Sequence, residues 1–204
     1  MKTTNHCKIC GENIDYFDFL YLLSAHICVC KKCREKMNAV FKESLIENYR
    51  ITFVYNYDET IKQLINQLKN YHDIELASIF LDRYVNILKI KYKNYVIVPA
   101  PSNKKDDEKR GFNHVYEIFK CLNLPTLNCV YKKEEFKQAE QTPDNRFHAK
   151  NYLAIDNANL YGKNILIVDD VFTSGSTVRS MVNLIKTKHP KRIEILIIAK
   201  TTRE

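Results

Sequence analysis

The sequence predicts an α/β fold, a parallel sheet flanked by helices, preceded by a small cysteine-rich module. Three observations carry this. Short apolar runs alternate with helical patterns, as in sheets covered on both faces. Residues 168–177, VDDVFTSGST, join an apolar run to a helical pattern through two acids and a loop of small hydroxyl residues. Four cysteines near the N-terminus form C-x2-C-x19-C-x2-C.

The cysteine module comes first in the chain. Tetrahedral zinc with four thiolates needs two close Cys pairs, and Cys7/Cys10 and Cys30/Cys33 supply them. Gly11 suits a tight knuckle after the first pair. The aromatic run 16–21 reads as a hairpin. Met37, Val40, Phe41 and Leu45 have the period of an amphipathic helix after the second pair. These features predict a zinc-ribbon or treble-clef-like module with a linking helix over residues 1–49 and a larger domain over 50–204. Cys28, His6 and His26 are further ligand candidates, but only Cys30 and Cys33 keep the two-residue spacing. Zinc would supply much of the folding energy of so small a module. The module is either a structural clasp or a contact for single-stranded nucleic acid. In the second case Lys31, Lys32 and Arg34 meet phosphates while aromatics of the hairpin stack on bases.

Beyond residue 50, 51–57 alternates like a strand, and Asp58 caps a helical pattern through Ile61, Leu64, Ile65 and Leu68. A second helix is predicted over 74–88, followed by a basic solvated link at 89–93. Residues 95–98 read as a buried strand stopped by Pro99-Ala100-Pro101-Ser102, where two prolines forbid helix and central strand alike. A charge run, 104–110, precedes Gly111-Phe112-Asn113-His114 and a helix over 115–122. Residues 132–151 are polar and aperiodic, hence a loop. The strand over 165–168, the helix over 178–188 and a buried strand over 193–199 complete the domain. Cys121 and Cys129 lack partners at metal spacing and are expected to pack as small apolar residues.

In parallel sheets ligands bind beyond the strand C-termini, where 99–102 and 169–177 both fall. Asp169 and Asp170 suit ribose hydroxyls. The amides and hydroxyls of Thr173, Ser174, Gly175, Ser176 and Thr177 suit a phosphate at a helix N-terminus. The segment lacks the Lys and spacing of a Walker loop and the three glycines of a dinucleotide turn. The net charge of +8 over 204 residues fits a polyanionic ligand, nucleic acid or both. No apolar run reaches the roughly 20 residues of a membrane helix, and no signal-peptide core is present. A cytoplasmic protein without membrane insertion is expected.

VDDVFTSGST resembles the phosphoribosyl-pyrophosphate (PRPP) segment of type I phosphoribosyltransferases. Together with the N-terminal Cys pairs, Tyr57…Leu68-Lys69 before Asp73, Val98-Pro99-Ala100-Pro101 and Arg110-Gly111-Phe112-Asn113, it resembles the ComF family of competence proteins, linked to DNA uptake in natural transformation. The resemblance implies a type I phosphoribosyltransferase fold from about residue 50. It implies Asp169 and Asp170 on the ribose and residues 173–177 on the 5′-phosphate. It also places Ala100, Pro101, Ser102 and Arg110 at pyrophosphate, and makes 132–151 a flap carrying Gln138 or Gln141, Arg146 and Asn151. Mg²⁺ would accompany PRPP. Single-stranded DNA, a DNA-uptake helicase and other competence proteins are the implied partners. Some family members carry a second cluster of Cys pairs, which this chain lacks.

Two readings follow: a PRPP-binding protein of DNA uptake, or a phosphoribosyltransferase acting on an unidentified acceptor, unrelated to DNA handling. Transfer would develop positive charge on the sugar and negative charge on pyrophosphate, so the site needs cations, ordered carboxylates and a lid rather than a nucleophilic triad. Lys104 or Lys105 would assist Arg110 at the leaving group.

Overall fold

The computed structural model describes residues 6–14, 27–133 and 152–201. Its centre is a five-stranded sheet of order β1-β2-β7-β6-β3. Here β1 is Ala39–Ile46, β2 Tyr49–Asn56, β3 Tyr95–Pro99, β6 Asn164–Phe172 and β7 Arg192–Lys200. β2, β7, β6 and β3 run parallel, and β1 adds an antiparallel edge to β2. This is the type I phosphoribosyltransferase arrangement, a mostly parallel sheet flanked by helices. A small antiparallel pair, β4 (Val130–Lys132) and β5 (Leu153–Ile155), lies apart from it.

Residues 39–46 are a strand, where apolar spacing predicts a helix. The helix opened by the second Cys pair, α1 (Lys31–Met37), stops because Asn38 turns left-handed at φ 43°. Glu47 and Asn48 both take positive φ, the geometry of a two-residue hairpin turn, so the chain folds back onto β2. Pairing with a neighbouring strand outweighs a helical period spread over so few residues. The helix predicted over 74–88 is likewise divided into a 3₁₀ turn, Ile74–Ile79, and α3, Val85–Lys91, which takes in part of the presumed basic link. The charge run is itself helical, α4 (Lys104–Arg110). Asn103 caps it, Asp106 and Asp107 lie in its first turn, and Gly111 ends it at φ 84°.

The remaining helices follow the sequence pattern. Asp58 accepts the Ile61 amide proton at 2.9 Å and starts α2 (Glu59–Asn70), which buries Ile61, Leu64, Ile65 and Leu68. α5 (His114–Phe119) and α6 (Ser176–Lys186) complete the layers.

The sheet separates two cores. Ile51, Ile165, Ile167, Ile195 and Ile197 pack with Val178 and Val182 of α6 on one face. Leu166, Val168, Leu196 and Ile198 pack with Leu68, Phe80 and Ile118 on the other. β7 feeds both, which explains its unbroken apolar run. The second core also contains Cys7, Ile14, Val29 and Met37, so the cysteine-rich segment shares the apolar interior of the rest of the chain. Lys8 fixes it further, through Glu75 at 2.7 Å and the Ser78 hydroxyl at 3.0 Å.

Phe80 is wholly buried where this segment meets the sheet core, and its carbonyl accepts the Tyr55 hydroxyl proton at 3.0 Å. Phe80→Ala is expected to cost about 3–5 kcal/mol of stability in urea unfolding. A loss below about 1 kcal/mol would show that the site is not packed this way.

Candidate functional site

The C-terminal edge of the sheet gathers the motifs that lie far apart in sequence. β6 continues pairing with β7 through Phe172, so Asp169 and Asp170 lie within the last turns of the strand rather than after it. The Ala100 amide donates to the Val168 carbonyl at 2.8 Å, which sets residues 100–102 beside the two acids. Past Phe172 the chain turns through Thr173–Ser174 to Gly175, which starts α6 with φ 75°. A Cβ at Gly175 would meet the Phe172 ring at 2.5 Å, so both conformation and space require glycine here. The Ser176 amide and hydroxyl both meet the Ser174 hydroxyl, at 3.3 and 3.0 Å. Arg179 donates to the Ser174 carbonyl at 2.7 Å, and Tyr152 to the Thr177 hydroxyl at 2.8 Å. The loop is thus held open around the first amides of α6, which have no acceptor within the helix.

The two acids differ. Asp170 is buried and faces Lys69, at the end of α2, and Nε2 of His114 at 3.5 Å. Arg110 Nη1 lies 3.0 Å from Nδ1 of His114. Arginine can only donate, so Nδ1 accepts and the imidazole proton sits on Nε2, facing Asp170. Burial works to raise the Asp170 carboxyl, but the His114 hydrogen bond and the Lys69 charge outweigh it and hold the group well below the usual carboxylate range. Asp169 is half-buried, and its carboxyl accepts the Asp170 amide proton at 2.9 Å. Burial, and then the charge of Asp170, push its carboxyl well above the ordinary value. One acid is neutralised by the protein and the other is left in need of a cation.

Arg110 is turned inward, its side chain 9% exposed. Besides His114 it donates to the Lys69 carbonyl at 2.8 Å and to Asp107 at 3.1 Å. Asn113 donates to the Ser102 hydroxyl at 2.7 Å and to Asp107 at 3.0 Å, and the Ser102 hydroxyl donates to Asp107. The RGFN segment therefore orders the 99–102 turn and the His114–Asp170 contact. Sequence reasoning did not single out Lys69 or His114 as site residues. Their signals were a basic residue ending an amphipathic helix and a histidine directly after RGFN. Gln138, Gln141, Arg146 and Asn151 lie outside the described residues.

At the other end of the chain, Cys7, Cys10, Cys30 and Cys33 bring four sulfurs within 4.8 Å of one another. Cys10 and Cys30 Sγ are 3.7 Å apart. Four thiolates about 2.3 Å from one tetrahedral zinc are spaced by about 3.8 Å, so the cluster could hold a metal such as zinc. Gly11 turns at φ 76° and donates to the Cys7 carbonyl at 2.8 Å, closing the knuckle. Cys28 is not part of the cluster. Its amide donates to Asp82 at 2.9 Å and its sulfur lies 3.5 Å from the Ser78 hydroxyl. Burial pushes its thiol up to about 12. His6 bonds the Gly11 carbonyl instead, at 3.1 Å, and His26 and the run 16–21 lie outside the described residues. Lys31 and Lys32 are exposed, whereas Arg34 is 17% exposed, donates to the Val29 carbonyl and lies 3.8 Å from Asp82. Cys129 is buried and Cys121 half-buried, its thiol donating to the Ile118 carbonyl at 3.4 Å. Among the described residues no helix is long and apolar enough to cross a membrane.

The unlike acids give a pH-dependent signature. Asp169 has a raised folded-state pKa, so its stabilising effect is complete below about pH 4 and is lost as pH rises through that raised value. Asp169→Asn should raise Tm at pH 7 to 8 and flatten the pH dependence above 4. Asp170 has a lowered folded-state pKa, and its contribution is present above about pH 4 and lost as pH falls below it. Asp170→Asn should cost roughly 2–3 kcal/mol at neutral pH, below the full buried-pair range because Lys69 stays partly in water. Thermal melts from pH 4 to 8 read both. Equal shifts for the two variants would contradict the asymmetry.

The phosphoribosyl transferase domain family matches residues 67–203. Competence protein ComFC of Bacillus subtilis (strain 168) is 27% identical over 180 residues, covering 87% of this chain and 70% of that protein. Competence protein ComFC of Streptococcus pneumoniae (strain ATCC BAA-255 / R6) is 22% identical over 215 residues, covering 92% of this chain and 96% of that protein. A hypoxanthine-guanine phosphoribosyltransferase of Bacillus anthracis str. 'Ames Ancestor' superposes with a TM-score of 0.44 at 13% identity, over 65% of this chain and 73% of that one.

Proposed function

We propose a function from the premise that this chain belongs to the phosphoribosyl transferase domain family: it is a competence-related, phosphoribosyltransferase-like protein that binds PRPP with Mg²⁺ and contacts single-stranded DNA. The observation that carries the PRPP reading is the unequal acid pair at the open end of β6. Asp170, neutralised by Lys69 and His114, is a fixed acceptor for a ribose hydroxyl. Asp169 carries a charge that its surroundings disfavour. Asp169 and Ser102 are hard oxygen donors of the kind Mg²⁺ takes, so the residues present fit that ion. Bound there with pyrophosphate, Mg²⁺ supplies positive charge to an otherwise strongly anionic group. The loop 173–177 receives the 5′-phosphate through its amides and hydroxyls, at the positive end of α6. Ala100, Pro101 and Ser102 line the pyrophosphate side. In this reading Arg110 acts on pyrophosphate by ordering that turn, as its inward contacts suggest, and Gln141 and Arg146 belong to the flap.

The competence role is supported by the relatives named ComFC and by the Cys pairs that precede the larger domain. We assign structural zinc to Cys7, Cys10, Cys30 and Cys33, and DNA contact in the first 49 residues to Lys31 and Lys32, with Arg34 holding the segment to Asp82. Residues 50–204 then form the phosphoribosyltransferase-like unit, in the cytoplasm, where the uptake helicase and other competence proteins are the expected company.

Isothermal titration with PRPP and Mg²⁺ should show binding that Asp169→Asn weakens by about 10- to 100-fold, the loss of one charged hydrogen bond. Equal affinity of the two proteins would overturn the assignment.

Metal analysis should find about one zinc per chain. Because three of the four cysteines are buried in the main core, chelation should lower Tm of the whole chain in a single cooperative transition. A folded, metal-free chain with unchanged Tm would refute the zinc assignment.

A further inference from the structure

The opposite edge of the sheet carries a second concentration of charge. Each helix returns the chain to the N-terminal ends of the parallel strands, and it arrives there with basic residues: KIKYK before β3, Lys163 before β6 and KTKHPKR into β7. A cleft of about 420 Å³ opens among them, lined by Arg50, Lys93, Tyr95, Lys191, Arg192 and Glu194.

Register explains the row. Arg50 of β2 pairs with Glu194 of β7, Arg192 of β7 with Asn164 of β6, and Asn164 with Tyr95 of β3. Four strands stand about 14 Å across from first to last. Arg50, Arg192 and Lys93 are therefore spread along a line too wide for one phosphate ion to touch both ends.

Some basic residues at this edge have local duties. Lys186 ends α6 and Lys89 ends α3, where cations offset the helix dipole. Lys91 is paired with Glu43 at 2.6 Å. Glu194, on the floor of the cleft, accepts the Tyr95 hydroxyl proton at 2.8 Å and lies 3.7 Å from Arg192. Arg50, Lys93 and Lys191 lie past the helices, are exposed, and have no acid within ion-pair distance among the described residues.

An aromatic platform adjoins this rim. Tyr161 is 76% exposed. The next amide, of Gly162, donates to the His189 carbonyl at 3.1 Å, and Lys191 donates to the Lys163 carbonyl at 2.8 Å, so Tyr161 is tied beside Lys191. A line of exposed cations next to an exposed ring suits a flexible strand, whose phosphates neutralise the cations and whose base stacks on the ring.

We propose that the N-terminal edge of the parallel sheet is a binding surface for a single-stranded nucleic acid backbone, separate from the PRPP edge. This rests on the reading that the protein handles DNA, and it assigns that contact to Arg50, Lys93, Lys191 and Tyr161 of the larger domain.

The test is fluorescence anisotropy of a labelled oligo(dT) strand against the full chain at several salt concentrations. Lys93→Gln/Lys191→Gln is expected to weaken binding at least tenfold and to reduce the log–log salt slope by about 1.4, two contacts at 0.7 each. Tyr161→Ala is expected to weaken it about tenfold with the slope unchanged. PRPP titration should be unaffected in both variants, and both should retain the wild-type melt. Inorganic phosphate at equal phosphate concentration should not compete. If Lys93→Gln/Lys191→Gln binds as wild type while Lys31→Gln/Lys32→Gln does not, this surface is wrong and the DNA reading stands. If wild type itself does not bind, both fall. Full competition by inorganic phosphate would reassign the cleft to a single small anion and overturn the proposal.

Discussion

A carboxylate taken out of water keeps its charge only if the protein brings compensation to it, and the ligand edge is organised around that requirement at Asp170. Its partners come from separate elements: Lys69 from the end of α2, and His114 from the start of α5. Arg110 then joins these partners to each other, donating to the Lys69 carbonyl and to His114, while Asp107 joins them to Ser102. One buried negative charge thus fixes the relative positions of β6, α2, α4, α5 and the 99–102 turn. The network leaves Asp169 as the place where external positive charge is most favourable.

The cysteine-rich segment is tied in by a similar device. Asp82 is buried, and burial pushes its carboxyl up, while the Cys28 amide and Arg34 from the N-terminal segment draw it back. Cys7, Cys30, Cys33 and Met37 share a core with Leu68, Phe80 and Ile118. Folding of the sulfur cluster and folding of the sheet are therefore one process, and the segment cannot be removed without opening apolar surface in the rest of the chain.

Much of this was legible in the sequence. Four cysteines at fixed spacing, a strand ending in two acids and a turn forced by two prolines are local signals, and each marked its place. What was hidden depends on pairing between distant residues. Val40, Phe41 and Leu45 carry a helical period, yet the left-handed Asn38 and the Glu47-Asn48 turn send them into a hairpin with β2. Arg110 read as a free cation because nothing in the string reveals a carbonyl 41 positions away that takes its proton. Lys69 and His114 became site residues only when the helices packed, and the basic edge emerged only when three separate connections returned to one side of the sheet.

The irregularity in β1 has a consequence for assembly. An outer strand presents unpaired amides and carbonyls to any other extended chain. In β1 the register shifts between Ala39 and Lys42, Phe41 takes φ 43°, and Lys42, Glu43 and Ser44 are exposed. At the far side, Pro125 and Leu127 hydrogen-bond to Ile97 and cover β3 with a loop. One border is kinked and charged and the other is capped, so the sheet offers no flat strand for a second copy to extend. The protein is built to concentrate on polyanions without adding to itself.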